Sequence, residues 1–173
     1  MSTGTEAPAD GSPLVGAVVV NYNGASVTRA CVDSLRRDEG PPVLVIIADN
    51  ASDASDVAEL EEAYGAAADV EIVRLSENRH FAGGVNAGTR RALDRGATHL
   101  FILNNDTVIE PGCVDRMVRA VDATPDAGVV GPALLDLGDR HALSLGERYS
   151  PWSLAVPRTL LKVRSAGDGR PYR

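Results

Sequence analysis

Short apolar runs that alternate with helical patterns are the feature that most constrains how this chain folds. Four of these runs are rich in β-branched residues and bounded by turn-forming residues, which is typical of buried strands. The predicted strands are Leu14–Val20, Val43–Ala48, Val70–Leu75 and His99–Leu103. Apolar residues at helical spacing fill the intervals, and Gly128–Val130 is a candidate start for a fifth strand. The predicted helices are Ser26–Arg37, a segment capped by Ser52 or Ser55 that runs to about Tyr64, Val85–Arg95, and Pro111–Ala123.

Strands that alternate with helices of this length predict an α/β fold with a mostly parallel sheet and helices on both faces. Right-handed crossovers place the carboxyl ends of all the strands along one edge of such a sheet. Ligands bind at that edge in open α/β sheets. The sequence therefore predicts a binding site where the strands end.

Charge and composition exclude several classes of function. The net charge of −7 and the isoelectric point near 4.9 argue against a nucleic-acid partner, which is bound mainly through neutralised phosphates. No apolar run approaches the length that spans a bilayer, and Met1–Pro13 does not resemble a signal peptide, so we expect a cytoplasmic protein. Cys31 and Cys113 lack the close pairing of a zinc or redox motif and are expected to be small buried residues on helices.

Polar residues collect where three of the predicted strands end. The three groups are Asn21-Tyr22-Asn23, Asp49-Asn50 and Asn104-Asn105-Asp106. Asn and Asp are also common turn residues that bond their own backbone, which is an alternative explanation for each group taken alone. Three such groups at strand ends that share one edge favour a common crevice.

Two carboxylates in these groups have chemistry suited to a nucleotide ligand. Asp106 follows an apolar strand directly, and a carboxylate held there is a hard oxygen ligand for Mg²⁺ or Mn²⁺ shared with a diphosphate. Such a metal stabilises a departing diphosphate. The carboxylate of Asp49 is suited to accept a hydrogen bond from the imide N–H of a uracil or thymine ring.

The glycine-rich segment His80–Gly88 is predicted to lead from a loop, Ser76–Gly84, into the third helix. Glycines there either let backbone N–H groups approach an anion or let the helix pack closely on the sheet, and the segment alone favours neither. The spacing matches neither the dinucleotide-binding fingerprint nor a P-loop, which disfavours NAD and P-loop ATP sites.

Four motifs in this order resemble glycosyltransferase family 2, which has the GT-A fold, and most closely its bacterial rhamnosyltransferase-like members. The likeness extends from Leu14 to about Gly138. The motifs are Val18-Val19-Val20-Asn21-Tyr22-Asn23-Gly24, Ala48-Asp49-Asn50-Ala51-Ser52-Asp53, Asn78-Arg79-His80-Phe81-Ala82-Gly83-Gly84-Val85-Asn86-Ala87-Gly88 and Leu103-Asn104-Asn105-Asp106-Thr107.

The resemblance implies a donor-binding domain with Asp106 as the ligand of a Mg²⁺ or Mn²⁺ ion. Asn104 stands where the family's metal motif has its first carboxylate, which leaves Asp106 alone in that role. His80 and Arg79 replace a more usual glycine and apolar residue, and this departure is expected to reshape the base pocket. The implied substrate-binding residues are Asn21, Tyr22, Asn23, Asp49, Asn78, His80, Gly83, Gly84, Asn86, Asn104 and Asn105.

The reaction implied by the resemblance is inverting transfer from a UDP- or dTDP-sugar to an acceptor hydroxyl on a glycan, a lipid-linked saccharide or a small molecule. Family members carry their catalytic base in an acceptor-binding half, and nothing in Asp136–Arg173 matches it. We therefore expect a chain without that half, served by a separate acceptor-domain partner and located in the cytoplasm or peripheral to the inner membrane face. The expected organisation is a disordered tail over 1–13, a donor domain over 14–138 and an irregular linker over 139–173.

Two other functions fit parts of the same pattern. A nucleotide-sugar binding module without catalytic activity would keep the fold and lack the base. A sugar nucleotidyltransferase would share the architecture, but such enzymes usually have basic residues after the first strand, and Asn21–Gly24 contains none.

Overall fold

The structure, a computed structural model, describes residues 13–135 and 141–142. The chain divides into two compact units, Met1–Pro132 and Ala133–Arg173. In the first unit, strands and helices alternate along the chain. The elements are β1 (Val15–Asn21), α1 (Ala25–Arg36), β2 (Val43–Asp49), α2 (Ala54–Tyr64), β3 (Val70–Arg74), α3 (His80–Asp94), β4 (His99–Asn104) and α4 (Cys113–Asp122).

The four strands form one parallel sheet in the order β3-β2-β1-β4, which confirms the predicted α/β class. The chain builds outward from β1 through β2 to β3 and then crosses to the other side of β1 for β4. The register pairs Asn21 with Asp49 and Val20 with Asn104, so the polar strand ends lie side by side. The order of strands reverses between β1 and β4, the type of position at which open α/β sheets bind ligands.

Apolar side chains of alternate strand residues build a core on each face of the sheet. On one face Val19, Val45 and Ile47 pack with residues of α1, α2 and α4. On the other face Val18 and Ile46 pack with residues of α3 and the turn that follows it. The sheet is therefore covered on both faces, as the sequence predicted.

Helix α3 lies unusually close to β1 because glycines stand at the contact. A Cβ atom added at Gly88 would lie 2.5 Å from Val18 Cγ1, and one added at Gly84 would lie 2.7 Å from Val20 Cγ1. On the strand, a Cβ atom at Gly16 would lie 2.6 Å from the Cβ atom of Ala92. These distances are below any normal carbon–carbon contact, so the packing requires glycine and brings the first turn of α3 to the strand ends.

The start of α3 corrects the sequence analysis. The segment Ser76–Gly84 was predicted as a loop with a helix from Val85, but the helix begins at His80. Helix propensity disfavours glycine, yet burial of Gly84 against the sheet outweighs that preference. Gly83 and Gly84 therefore lie inside the helix.

Two further predictions about local structure were wrong. No strand forms over residues 128–130, where Val129 is 89% exposed and has no neighbouring strand to bond. Neither Ser52 nor Ser55 caps α2, which has Asp53 at its N-cap. The Ser52 hydroxyl instead accepts the N–H of Asn23 at 2.9 Å.

The described part of the second unit is a short antiparallel ladder, in which β5 (Leu134–Leu135) pairs with β6 (His141–Ala142). The expected N-terminal tail, except Pro13, and most of the expected C-terminal linker lie outside the described residues. Within those residues, no helix has the length and apolar character needed to span a membrane.

Candidate functional site

An open cleft of about 290 Å³ lies at the carboxyl ends of β1, β2 and β4, beside the first turn of α3. The polar groups predicted at all three strand ends contribute to it. Its described lining residues are Val20, Tyr22, Asn50, Asn78, His80, Phe81 and Asn105. None of these carries a carboxylate, a guanidinium or an ammonium group, and the aromatic residues Tyr22 and Phe81 are 53% and 52% exposed.

Asn21 lies beneath the cleft as the centre of a buried hydrogen-bond network, with no exposed surface. Its amide Nδ2 donates to Asp49 Oδ1 at 3.0 Å and to Asp56 Oδ2 at 2.7 Å, and lies 3.1 Å from Ser52 Oγ. Its Oδ1 accepts the hydroxyl of Thr28 at 2.8 Å. One side chain thus ties the end of β1 to α1, β2 and the start of α2.

The same network reaches the end of β4 through Thr28, which is fully buried. Asn105 donates from Nδ2 to Thr28 Oγ1 at 3.0 Å. Gly24 leaves room for this contact, since a Cβ atom there would lie 3.2 Å from the Asn105 amide nitrogen. The ends of β1, β2 and β4 are therefore held in one arrangement by side chains rather than by the sheet alone.

Asn21 and Asp49 were predicted to bind the nucleotide, but the structure directs their polar atoms at protein groups. Asp49 is only 1% exposed, with one oxygen bonded to Asn21 and the other accepting the backbone N–H of Ser52 at 3.3 Å. Neither residue is among the described lining of the cleft. Direct contact of Asp49 with a base stays a prediction, whereas its role in fixing the strand ends is visible.

A second network, centred on Asn50, shapes the loop before α3. Asn50 is 2% exposed, and its Nδ2 donates to Asn78 Oδ1 at 2.9 Å and to the His80 carbonyl at 3.1 Å. Its Oδ1 accepts the backbone N–H of Arg79 at 2.8 Å. Asn78 Oδ1 also accepts the N–H of His80 at 2.8 Å. The backbone of residues 78–80 is therefore fixed by two asparagine side chains.

Three residues other than glycine near the cleft have left-handed backbone conformations. They are Asn23, Ala51 and His80, with φ values of 49°, 63° and 58°. Asparagine tolerates this region, but for Ala51 and His80 it costs about 1–2 kcal/mol each relative to the right-handed conformation. Backbone strain of this kind concentrates at functional sites, where the surrounding contacts maintain it.

Asp106 lies exposed in the turn after β4, directly beyond Asn105. No described residue forms a hydrogen bond or ion pair with its carboxylate. Nearby, the Cys31 thiol donates to the Asn104 carbonyl at 3.7 Å. Burial, and secondarily the negative charge of Asp106, raises the pKa of Cys31 to about 12, so this thiol stays neutral behind the turn.

An exposed, unpaired carboxylate fits a divalent ion that is shared with a phosphate ligand. Mg²⁺ commonly takes one or two protein carboxylates and completes its shell with phosphate oxygens and water. In residues 13–135 and 141–142, no group of three or more His, Cys, Asp or Glu side chains is placed to hold a metal without a ligand. Asp106 could supply one such carboxylate at the end of β4.

The remaining predicted site residues lie around the cleft rather than in it. Asn23 accepts the N–H of Asp53 at 2.8 Å and so helps to start α2, while Asn86 is exposed along α3. Asn104 is exposed at the end of β4, and its carbonyl accepts the Cys31 thiol. The glycines at 83 and 84 belong to α3, as described above.

Sequence reasoning missed two residues that the structure brings into the site. Phe81 lines the cleft, and its place within the quoted third motif was the available signal. Thr28 links Asn105 to Asn21, and it shares a helical face with Cys31, where an apolar residue would be expected. A polar residue at such a position indicates a buried partner.

Comparison with known proteins relates the sequence of this chain to a described family. The model described as glycosyl transferase family 2 matches residues 17–169. The uncharacterized proteins Rv1525 of Mycobacterium tuberculosis and Mb1552 of Mycobacterium bovis are each 32% identical to this chain over 117 residues, which is 68% of this chain. The chain spans 39% of the length of each of these curated relatives.

Two solved structures share the fold at lower identity. The mannosyltransferase PcManGT from Pyrobaculum calidifontis, in complex with GDP-Man and Mn²⁺, has a TM-score of 0.53 at 22% identity, covering 62% of this chain and 32% of that one. TarS 1-349 of S. aureus, in complex with UDP-GlcNAc, has a TM-score of 0.53 at 16% identity, covering 63% of this chain and 31% of that one. These likenesses show the GT-A type of α/β fold.

Proposed function

This chain belongs to glycosyl transferase family 2, and we propose that its cleft binds the nucleotide part of a sugar donor, a UDP- or dTDP-sugar, together with a divalent metal. The reaction would be inverting transfer of the sugar, of the rhamnosyl type, to an acceptor hydroxyl. The observation that carries the proposal is the convergence of three polar strand ends on one cleft with Asp106 unpaired beside it. Both solved neighbours named above were captured with a nucleotide-sugar.

In this proposal the cleft residues contact the donor and the buried residues hold them in place. The rings of Tyr22 and Phe81 offer apolar surface to a planar base. Asn78 keeps its Nδ2 and Asn105 its Oδ1 without a partner among the described residues, so each has a polar atom available to a ligand. Asn21 fixes the relative positions of these groups through the network beneath the cleft.

Asp106 would hold the Mg²⁺ or Mn²⁺ ion. A bound ion supplies positive charge that stabilises the departing diphosphate. Asp106 would present one carboxylate at the end of β4. The Cys31 thiol donates a hydrogen bond to the Asn104 carbonyl and so helps to hold the turn that carries Asp106. Because no described side chain competes for that carboxylate, it is available to a metal that enters with the donor.

The catalytic base is not assigned among the described residues. Transfer needs a general base that deprotonates the acceptor hydroxyl. The carboxylates Asp136, Asp139, Glu147 and Asp168 lie outside the described residues. We therefore propose donor and metal binding for this chain, with a glycan, a lipid-linked saccharide or a small molecule as the acceptor.

Amide NMR of the full chain tests where the donor and the metal bind. With UDP or dTDP and Mg²⁺, we expect the largest shifts at Tyr22, Asn78, His80 and Asn105. Replacing Mg²⁺ with Mn²⁺ should broaden signals near Asp106 most strongly, because the ion is paramagnetic.

Exposed residues away from the cleft serve as internal controls for that experiment. Val27 on α1 is 45% exposed and Leu93 near the end of α3 is 53% exposed, and neither should shift. The proposal fails if the shifts instead centre on the apolar groove between β4 and α4, which includes Leu100, Met117 and Val121. It also fails if Mn²⁺ broadens signals only at sites far from Asp106.

A further inference from the structure

His80 occupies a backbone position that suits glycine better than histidine. Its φ of 58° lies in the left-handed region, which a residue with a Cβ atom adopts at a cost. The conformation is imposed from outside, because Asn78 accepts the N–H of His80 and Asn50 donates to its carbonyl. A glycine would satisfy both hydrogen bonds without strain, so the backbone gives no reason for an imidazole here.

The imidazole of His80 has no polar partner in the part of the chain that the structure describes. The residue is exposed and lines the cleft, and no described residue forms a hydrogen bond or ion pair with its ring. His80 thus combines a strained backbone, which neighbouring contacts maintain, with a polar ring at a cleft. This combination is expected of a residue that binds a ligand.

The surroundings of the ring favour a base over a phosphate as its contact. The other described lining residues are aromatic, aliphatic or amide side chains, including Tyr22, Phe81 and Asn78, and none is lysine or arginine. Phosphate groups are usually held by such cations, whereas aromatic faces and amide edges suit a planar, uncharged, polar ring. In a nucleoside diphosphate, that ring is the nucleobase.

We propose that His80 is a specificity-determining residue of the donor site, whose imidazole contacts the nucleobase and helps to decide which nucleotide the cleft accepts. The inference rests on the proposed function, since it requires that the cleft bind a nucleoside diphosphate. Contact between a base and an aromatic side chain typically changes affinity by about 5- to 150-fold.

Calorimetric titration of the wild-type chain, His80→Gly and His80→Asn tests the contact. The ligands are UDP, dTDP, GDP and ADP, each with Mn²⁺, and inorganic pyrophosphate as a ligand without a base. Both variants remove the ring, and both glycine and asparagine tolerate the left-handed backbone. We expect the preferred nucleotide to bind about 10-fold more weakly and the preference among bases to narrow. Pyrophosphate should bind as before, and His80→Gly should melt no lower than wild type.

Ala51→Gly is the matched control, because it relieves the same kind of backbone strain at φ 63° without removing a cleft side chain. It should leave the preference among nucleotides unchanged. The inference is overturned if His80→Gly keeps the wild-type preference, or if pyrophosphate and all nucleotides weaken together, which would place the contact at the phosphates. If the wild-type chain binds no nucleotide, the proposed function is wrong, and the inference about His80 is wrong as well.

Discussion

Substitution of Asn21 by alanine should lower the unfolding free energy of the protein substantially, because it removes a buried amide at the ends of the strands. The amide is fully buried and bonds to Asp49, Asp56 and Thr28. Alanine would leave each of these three groups without that partner. Because the sheet, α1 and α2 all meet at this side chain, the change should weaken the whole first unit.

The magnitude follows from which of the three groups can find water. A hydrogen bond to a charged group is worth about 1.5–3 kcal/mol, and the value for Asp49 is at the upper end because that carboxylate is 1% exposed. Thr28 is also buried and adds about 1 kcal/mol. Asp56 is partly exposed, so water replaces much of its lost bond. The expected loss of unfolding free energy is about 3–5 kcal/mol, a large part of the stability of a typical domain.

Urea unfolding followed by circular dichroism measures this loss, with Tyr22→Ala as the matched control. Tyr22 is the next residue along the chain, but it is 53% exposed and its side chain forms no hydrogen bond with a described residue. We expect the control to change the unfolding free energy by less than about 0.5 kcal/mol. An Asn21→Ala curve within 1 kcal/mol of wild type would refute the assignment of Asn21 as the centre that holds the strand ends together.

Three further predictions address the metal, the packing and the thiols. Asp106→Ala should abolish the metal-dependent part of nucleotide binding and leave the melting temperature unchanged, because the carboxylate is exposed and has no partner among the described residues. A marked drop in melting temperature would instead indicate a structural role for Asp106. Gly88→Ala should lower the unfolding free energy by about 1–3 kcal/mol, because the new Cβ atom would lie 2.5 Å from Val18 Cγ1. Gly128 has open space around it, so Gly128→Ala should leave the unfolding free energy nearly unchanged in the same denaturant assay. Cys31 should resist a thiol reagent at pH 8 in the folded chain, because its pKa is raised from 9.0 to about 12. Rapid labelling of Cys31 in the native state would contradict this. The stability that this pKa shift contributes should be lost as the pH rises from about 9 toward 12.

The sheet and the convergence of its ends were predictable because they follow from periodicity and handedness. Alternating strands and helices imply parallel pairing, and parallel pairing brings Asn21, Asp49 and Asn104 to one edge whatever the side chains do. The four strands of the parallel sheet begin and end within about one residue of their predicted limits.

The details of the site were less predictable because they depend on distances between elements. The sequence left two roles open for Gly84, approach of its backbone to an anion and close packing of a helix on the sheet. The closeness of α3 to Val20 shows the packing role, inside the helix rather than in the predicted loop. In the same way, the sequence placed Asp49 at a strand end but could not show that Asn21 and Ser52 occupy its oxygens. Burial of a polar residue is a property of the assembled core, so residue type alone does not separate a ligand contact from a support beneath it.

Isothermal titration calorimetry can show whether this chain binds a pyrimidine nucleoside diphosphate through a divalent metal. Wild-type chain is titrated with UDP, dTDP, GDP and ADP, each in the presence and absence of Mn²⁺. We expect UDP or dTDP to bind most tightly and Mn²⁺ to strengthen the binding. Tighter binding of ADP, or equal affinity with and without the metal, would contradict it.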